Sequence, residues 1–116
     1  MLLETVQLSK IALRKTVLRF LDMIVLQFLN RQSMYGYELV LKVRKTFGVY
    51  LSPSKIYPLL ATLERKGFVT SDWEICEKPR RVYKLTVDGL KMLKFTEESL
   101  SSIFRMNKFE ESQRND

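Results

Sequence analysis

Histidine is absent from this chain of 116 residues, and cysteine occurs once, at Cys76. The first absence removes His-based catalytic triads and imidazole metal sites. The second removes an intrachain disulfide and any Cys-cluster zinc or iron–sulfur centre, and a lone inert thiol fits a reducing compartment. Glycine and proline are scarce too, at Gly 4 and Pro 3, which argues against a fibrous or low-complexity chain. Long hydrophobic runs are missing. The most apolar window, 17–29, is too short for a membrane span and carries Arg19 and Asp22. The N-terminus lacks the basic, apolar and small-residue regions of a secretory signal, so a cytoplasmic protein without membrane contact is expected. No Gly-rich phosphate loop, acidic metal motif or complete set of nucleophile, base and orienting group is present. The expectation is therefore no enzyme, no cofactor and no metal.

What is present is an ordered composition, with hydrophobic residues at 46% and charged residues at 28%. A mass of 13.8 kDa suffices for one domain with one modest core. Lys+Arg 20 against Asp+Glu 13 gives a net charge of +7, and its location is informative. Residues 1–90 hold fifteen Lys/Arg and eight Asp/Glu, whereas residues 91–116 hold five of each. The positive excess lies wholly in the first part of the chain, and it points to a polyanion partner.

Apolar periodicity predicts a first helix over about Ala12–Asn30, with a stripe of Leu13, Val17, Leu18, Leu21, Ile24, Val25, Phe28 and Leu29. Residues 1–11 read either as the start of that helix or as an arm over a partner subunit. A second helix is expected over about Tyr35–Phe47, with Tyr37, Val40, Leu41 and Phe47 as its buried face and Gly48 as its terminator. In LSPSKIYPLLATLERKGFV at 51–69, Ser52 is the expected N-cap and Pro53 occupies N1. Ile56, Leu59, Leu60 and Leu63 form its stripe, and Lys66-Gly67 ends it. The short connection before it makes a helix–turn–helix pair.

After Gly67 the period changes to two. A strand from Phe68, with Val69, Trp73 and Ile75 as an inward set and Cys76 buried or half-buried, faces a second strand over about Arg81–Leu85. The tip Glu77-Lys78-Pro79-Arg80 joins them as a β-hairpin wing. Thr86 is placed to cap a last helix over about Val87–Glu110, followed by a polar tail. The fold class that emerges is mainly α with a small β-hairpin: a winged helix–turn–helix over 12–86, an additional C-terminal dimerisation helix over 87–110, and a tail over 111–116.

The segments MYGYELV at 34–40, LSPSKIYPLLATLERKGFV at 51–69, Trp73, and RRVYKLTVDG at 80–89 closely resemble the PadR-like family of winged-helix transcriptional regulators. The likeness is to the short form with a single C-terminal helix. It implies a homodimer joined mainly through its terminal helices, acting on double-stranded DNA, most simply as a repressor. The sequence departs from the family pattern at Lys55, where a small or hydroxylic residue is common. Family members that sense aromatic compounds or drugs use pockets near the dimer seam, sometimes lined by tryptophan. The sole tryptophan here falls in the wing strand instead, so no small-molecule effector follows from these residues.

The N-terminal turns of the second helix of a helix–turn–helix face base edges. They present Ser52, Ser54, Lys55 and Tyr57, with Ser54 and Lys55 outside the apolar stripe. Tyr35 is a candidate for a phosphate-facing hydroxyl, whereas Tyr37 sits at apolar spacing. Glu38 is expected to point away from DNA or to pair with a base. Lys78, Arg80 and Arg81 at the hairpin suit a phosphate backbone or a narrow minor groove. Leu90, Leu93, Leu100, Ile103 and Phe104, with Phe109 beyond, are expected to pair with a second copy, helped by Leu13, Leu18, Leu3 and Val6. A pseudo-palindromic duplex follows from such a dimer. The competing readings are a winged-helix protein-interaction module and a non-specific architectural nucleic-acid binder.

Overall fold

In the computed structural model, helix α1 spans Leu2–Arg19 and helix α2 spans Leu21–Arg31. The structure describes residues 1–75 and 77–114, with backbone alone for 107–112 and 114. The single helix expected over 12–30 is thus two, and residues 2–11 are helical. Phe20 (φ −105, ψ 23) closes α1 by donating to the Thr16 carbonyl at 3.0 Å and opens α2 by accepting from Ile24 N–H at 2.9 Å. Spacing cannot show this turn, because the apolar stripe continues through it. Its effect is on packing: α2 buries Leu21, Val25, Leu26, Phe28 and Leu29, while α1 leaves the core with only Val17 buried.

A two-residue strand β1, Met34–Tyr35, follows and leads directly into helix α3 over Gly36–Phe47. Glu38 caps α3, its carboxylate accepting the Tyr35 N–H at 3.0 Å in the first turn of the helix. The buried face of α3 is Leu39 and Val43, with Val40 and Phe47 half-buried; Tyr37 and Leu41 are exposed, contrary to the expected stripe. Gly48, at φ 68, ends the helix in the left-handed conformation.

Helix α4 spans Pro53–Arg65 and buries Ile56, Leu60 and Leu63 as expected. Ser52 stands at its N-cap, yet its hydroxyl does not bond the helix backbone and lies instead 2.6 Å from the Ser54 hydroxyl. The C-terminus closes in a paired pattern: Gly67, at φ 80, donates to Glu64 and Phe68 donates to Leu63, at 3.0 and 2.9 Å.

Strands β2 (Val69–Glu74) and β3 (Arg80–Leu85) form the wing, and β3 lies between β2 and β1 in one antiparallel sheet. The register pairs Ser71 with Tyr83, Trp73 with Arg81 and Glu74 with Arg80, and β1 adds Met34 opposite Tyr83. Alternation puts Met34, Val69, Ser71, Trp73, Arg81, Tyr83 and Leu85 on one face. Only the base of that face reaches the core. Val69, Tyr83 and Met34 are buried, but Trp73 and Ile75 are exposed, which corrects the inward set. The reading of Cys76 lies outside the described residues.

Helix α5 runs over Val87–Arg114, past the expected end at Glu110, since no proline or glycine after Gly89 interrupts it. Thr86 caps it through its hydroxyl, which accepts Gly89 N–H at 3.0 Å. Leu93 on α5 is 2% exposed and belongs to the chain's own core, so it has no surface left for a second copy. Leu18 is half-buried against that core, and Leu90 and Leu100 are also half-buried. Leu13, Ile103 and Phe104 are exposed. The side chain of Phe109 lies outside the described residues. Among the described residues, no helix is long and apolar enough to cross a membrane.

Candidate nucleic-acid interface

The middle and C-terminal half of α4 and the wing stand on either side of an open cleft of about 620 Å³. Tyr57 and Ala61 on α4, Trp73 on β2, and Arg81 on β3 line it, together with Gly36 and Tyr37 at the start of α3. Tyr83 and Glu64 form its more buried wall, and Glu64 accepts a hydrogen bond from the Ser71 hydroxyl at 2.6 Å.

The local sequence explains the shape. A Cβ at Gly36 would lie 2.6 Å from Tyr57 Cε1, so the glycine between two tyrosines lets the Tyr57 ring lie on the α3 backbone. Tyr57 nevertheless remains 45% exposed and turns its free side to the cleft. Across it, the Arg81 guanidinium sits 5.2 Å from the Trp73 ring centre. On the opposite face of β3, Arg80 lies 5.4 Å from the ring of Tyr35, and the Tyr35 hydroxyl bonds Glu74. Neighbouring arginines therefore leave the wing from opposite faces, each laid on an aromatic ring. Burial pushes the pKa of the Tyr83 hydroxyl above its ordinary value, against the opposing influence of Arg81.

The eight residues expected to meet DNA do not fall in one patch. Tyr35, Tyr57, Arg80 and Arg81 border the cleft. Ser52 and Ser54 are exposed at the end of α4, and Lys78 is exposed at the hairpin tip. Lys55 projects from the other flank of α4, beside Leu18, Arg19, Leu21 and Asp22 at the α1–α2 turn. Two residues on one helix separated by two positions point nearly opposite ways, so Lys55 and Tyr57 cannot share a contact.

Sequence reasoning missed Trp73 and Tyr37 as surface residues; each is 62% exposed. Tyr50, also exposed, carries Arg44 at 4.4 Å from its ring centre. The hairpin register was the available signal for Trp73, because it sets that ring opposite Arg81. Among the described residues, no group of three or more His, Cys, Asp or Glu could hold a metal ion.

The family model of the transcriptional regulator PadR-like family matches residues 25–95. No curated protein matches the chain. Among solved structures, a PadR-family transcriptional regulator from Eggerthella lenta is similar at 31% identity and a TM-score of 0.72, covering 88% of each chain. A transcriptional regulator from Clostridium thermocellum is 28% identical with a TM-score of 0.71, over 82% of this chain and 97% of that one. PadR of Bacillus subtilis, solved in complex with operator DNA, is 28% identical with a TM-score of 0.61, over 66% of this chain and 44% of the other. These relatives are transcriptional regulators, not enzymes. With the family model spanning both helices of the helix–turn–helix and the whole wing, the chain belongs to the PadR-like family of transcriptional regulators.

Proposed function

We propose that the chain acts as a homodimeric, sequence-specific double-stranded DNA binder that represses transcription. The observation that carries this reading is the pair Arg80 and Arg81 on a wing that borders one cleft with Tyr57 of α4, together with the exposed Ser52 and Ser54 at the start of that helix. In this reading Ser52 and Ser54 enter the major groove with the N-terminus of α4. Arg80, Arg81 and Lys78 hold the adjoining backbone or minor groove, and Tyr35, bonded to Glu74, supports Arg80. Lys55 reaches the duplex from the flank nearer α1. The operator DNA bound by the Bacillus subtilis relative supports this assignment. Such a regulator works where the DNA is, in the cytoplasm.

Dimerisation rests on α1 and α5. Leu2, Leu3, Leu8 and Ile11 on α1 and Phe95, Ile103, Phe104 and Met106 on α5 are exposed. Exposed apolar side chains in such number along two helices mark an association site. Changing Ile103 and Phe104 together to Glu should convert the dimer to a monomer in sedimentation. Far-UV dichroism should remain helical, because both side chains lie outside the core. A dimer that survives this change would remove α5 from the interface.

The direct test is selection of bound duplexes from a random pool by the full chain at near-physiological salt. The expected outcome is a convergent pseudo-palindrome with half-sites about 34–36 Å apart. An unenriched pool would overturn sequence-specific reading and favour a protein-interaction module.

A further inference from the structure

We infer that the cleft between α4 and the wing, with the smaller cleft beside it, is a stacking site for single-stranded nucleic acid. This goes beyond duplex binding and does not depend on it.

The two clefts adjoin. The second, of about 310 Å³, lies between α3 and α4, and Tyr37 and Tyr57 line both. Tyr50 and Arg44 stand at the far end of the second cleft, while Trp73 and Arg81 stand at the wing end of the first. The result is a track of aromatic rings, with Tyr50 beside Arg44 at one end, Tyr37 and Tyr57 between, and Trp73 beside Arg81 at the other. All four of Tyr37, Tyr50, Tyr57 and Trp73 are exposed.

Duplex binding uses the arginines and the tyrosine hydroxyls but not the exposed flat faces of the tyrosine rings. A duplex keeps its base faces stacked inside and offers a protein only phosphates, sugars and groove edges. An unpaired strand offers a flat π-face and a phosphate at every nucleotide, which is the chemistry this track repeats. Clefts of a few hundred Å³ admit ligands of small-molecule size, hence bases rather than a paired helix. The distribution of charge within the first cleft fixes the orientation. Glu64 in the more buried wall repels a phosphate and accepts hydrogen bonds from base N–H groups, while the exposed guanidinium of Arg81 takes the phosphate at the rim. The net positive excess, all of it before residue 91, adds the long-range attraction.

Trp73 is the sole tryptophan, so its fluorescence reports occupancy directly. The full chain is titrated with oligothymidylate of about a dozen nucleotides, with a duplex of equal length and unrelated sequence, and with thymidine monophosphate. Quenching by the oligothymidylate, with the duplex and the mononucleotide at least about tenfold weaker, is the expected result. Tyr57→Leu should weaken that binding about tenfold, and Tyr50→Leu, whose ring lies outside the core, should do so without touching the Tyr57–Gly36 contact. Absence of quenching by the oligothymidylate overturns the inference. So does equal affinity for the mononucleotide, which would make the cleft a small-molecule site, or full affinity in both tyrosine variants, which would leave only electrostatic attraction. The duplex selection described above is independent of each of these outcomes.

Discussion

Gly89→Ala should lower the stability of the chain by roughly 2–4 kcal/mol, although the substitution improves helix propensity by about 1 kcal/mol. Gly89 lies in the first turn of α5, and a Cβ there would collide with the Phe68 carbonyl oxygen and stand 2.7 Å from Leu85 Cδ1. The first of these obstacles is backbone and cannot rotate away. That carbonyl also accepts the Thr86 N–H at 3.1 Å, and the Thr86 hydroxyl donates to the Gly67 carbonyl at 2.6 Å while accepting from Gly89. Moving Phe68 aside therefore disturbs the closure of α4, the start of β2 and the cap of α5 at once. Each hydrogen bond lost costs about 1 kcal/mol, added to an overpacking cost of about 1–3 kcal/mol. For a domain of this size the melting temperature should fall by roughly 8–16 °C. Thr86→Ala, which removes the two hydroxyl bonds without a collision, should cost about 1–2 kcal/mol. An unchanged or higher melting temperature for Gly89→Ala would show that α5 is not pinned at this corner.

The same corner shows what the sequence made legible. The termini of α4 and the cap of α5 follow from local chemistry: Pro53 fixes φ at the first turn, Gly67 accepts a left-handed backbone, and Thr86 supplies an acceptor to its own helix. The core of α4 follows from spacing alone. Elements whose existence depends on distant partners were not legible. Strand β1 has two residues, and only β3, about fifty positions later, makes it a strand. The turn at Phe20 falls inside an unbroken stripe and is decided by where α1 and α2 can pack. On α3, adjacent apolar positions compete for burial, and the core chose Leu39 and Val43 over Tyr37 and Leu41.

The candidate interface divides along the same line. Its charged parts, Lys78, Arg80 and Arg81, are neighbours in sequence and can be proposed from composition. The aromatic cleft draws on α3, α4, β2 and β3, and no window of sequence contains it. The glycine in MYGYE was a clue of a different kind. It marks a close approach, but the approaching ring, Tyr57, is identified only by the fold. Likewise Leu93 fits a dimer stripe and a core equally well by spacing, and packing of α5 against the domain decides for the core.

Changing Arg80 and Arg81 together to Ala should reduce duplex affinity strongly at low salt and flatten its salt dependence. Each phosphate neutralised contributes about −0.9 to the slope of log affinity against log salt, so losing two contacts should reduce the slope by about 1.8. The affinity deficit of the double variant should then shrink about tenfold between about 50 and 200 mM salt. The opposite faces from which the two guanidinium groups leave β3, one over Tyr35 and the other over Trp73, make them reach different points of the backbone. Each single variant should consequently account for about half of that reduction in slope, and their effects should add. Arg81→Lys should restore charge but not the planar stack on Trp73, recovering the slope more fully than the affinity. The chain should stay folded throughout, because both side chains are exposed and such ring contacts contribute only about 0.5–1 kcal/mol each. A double variant with the parent's slope at unchanged melting temperature would remove the wing from the duplex interface. Strong non-additivity of the single variants would instead put both arginines on one phosphate.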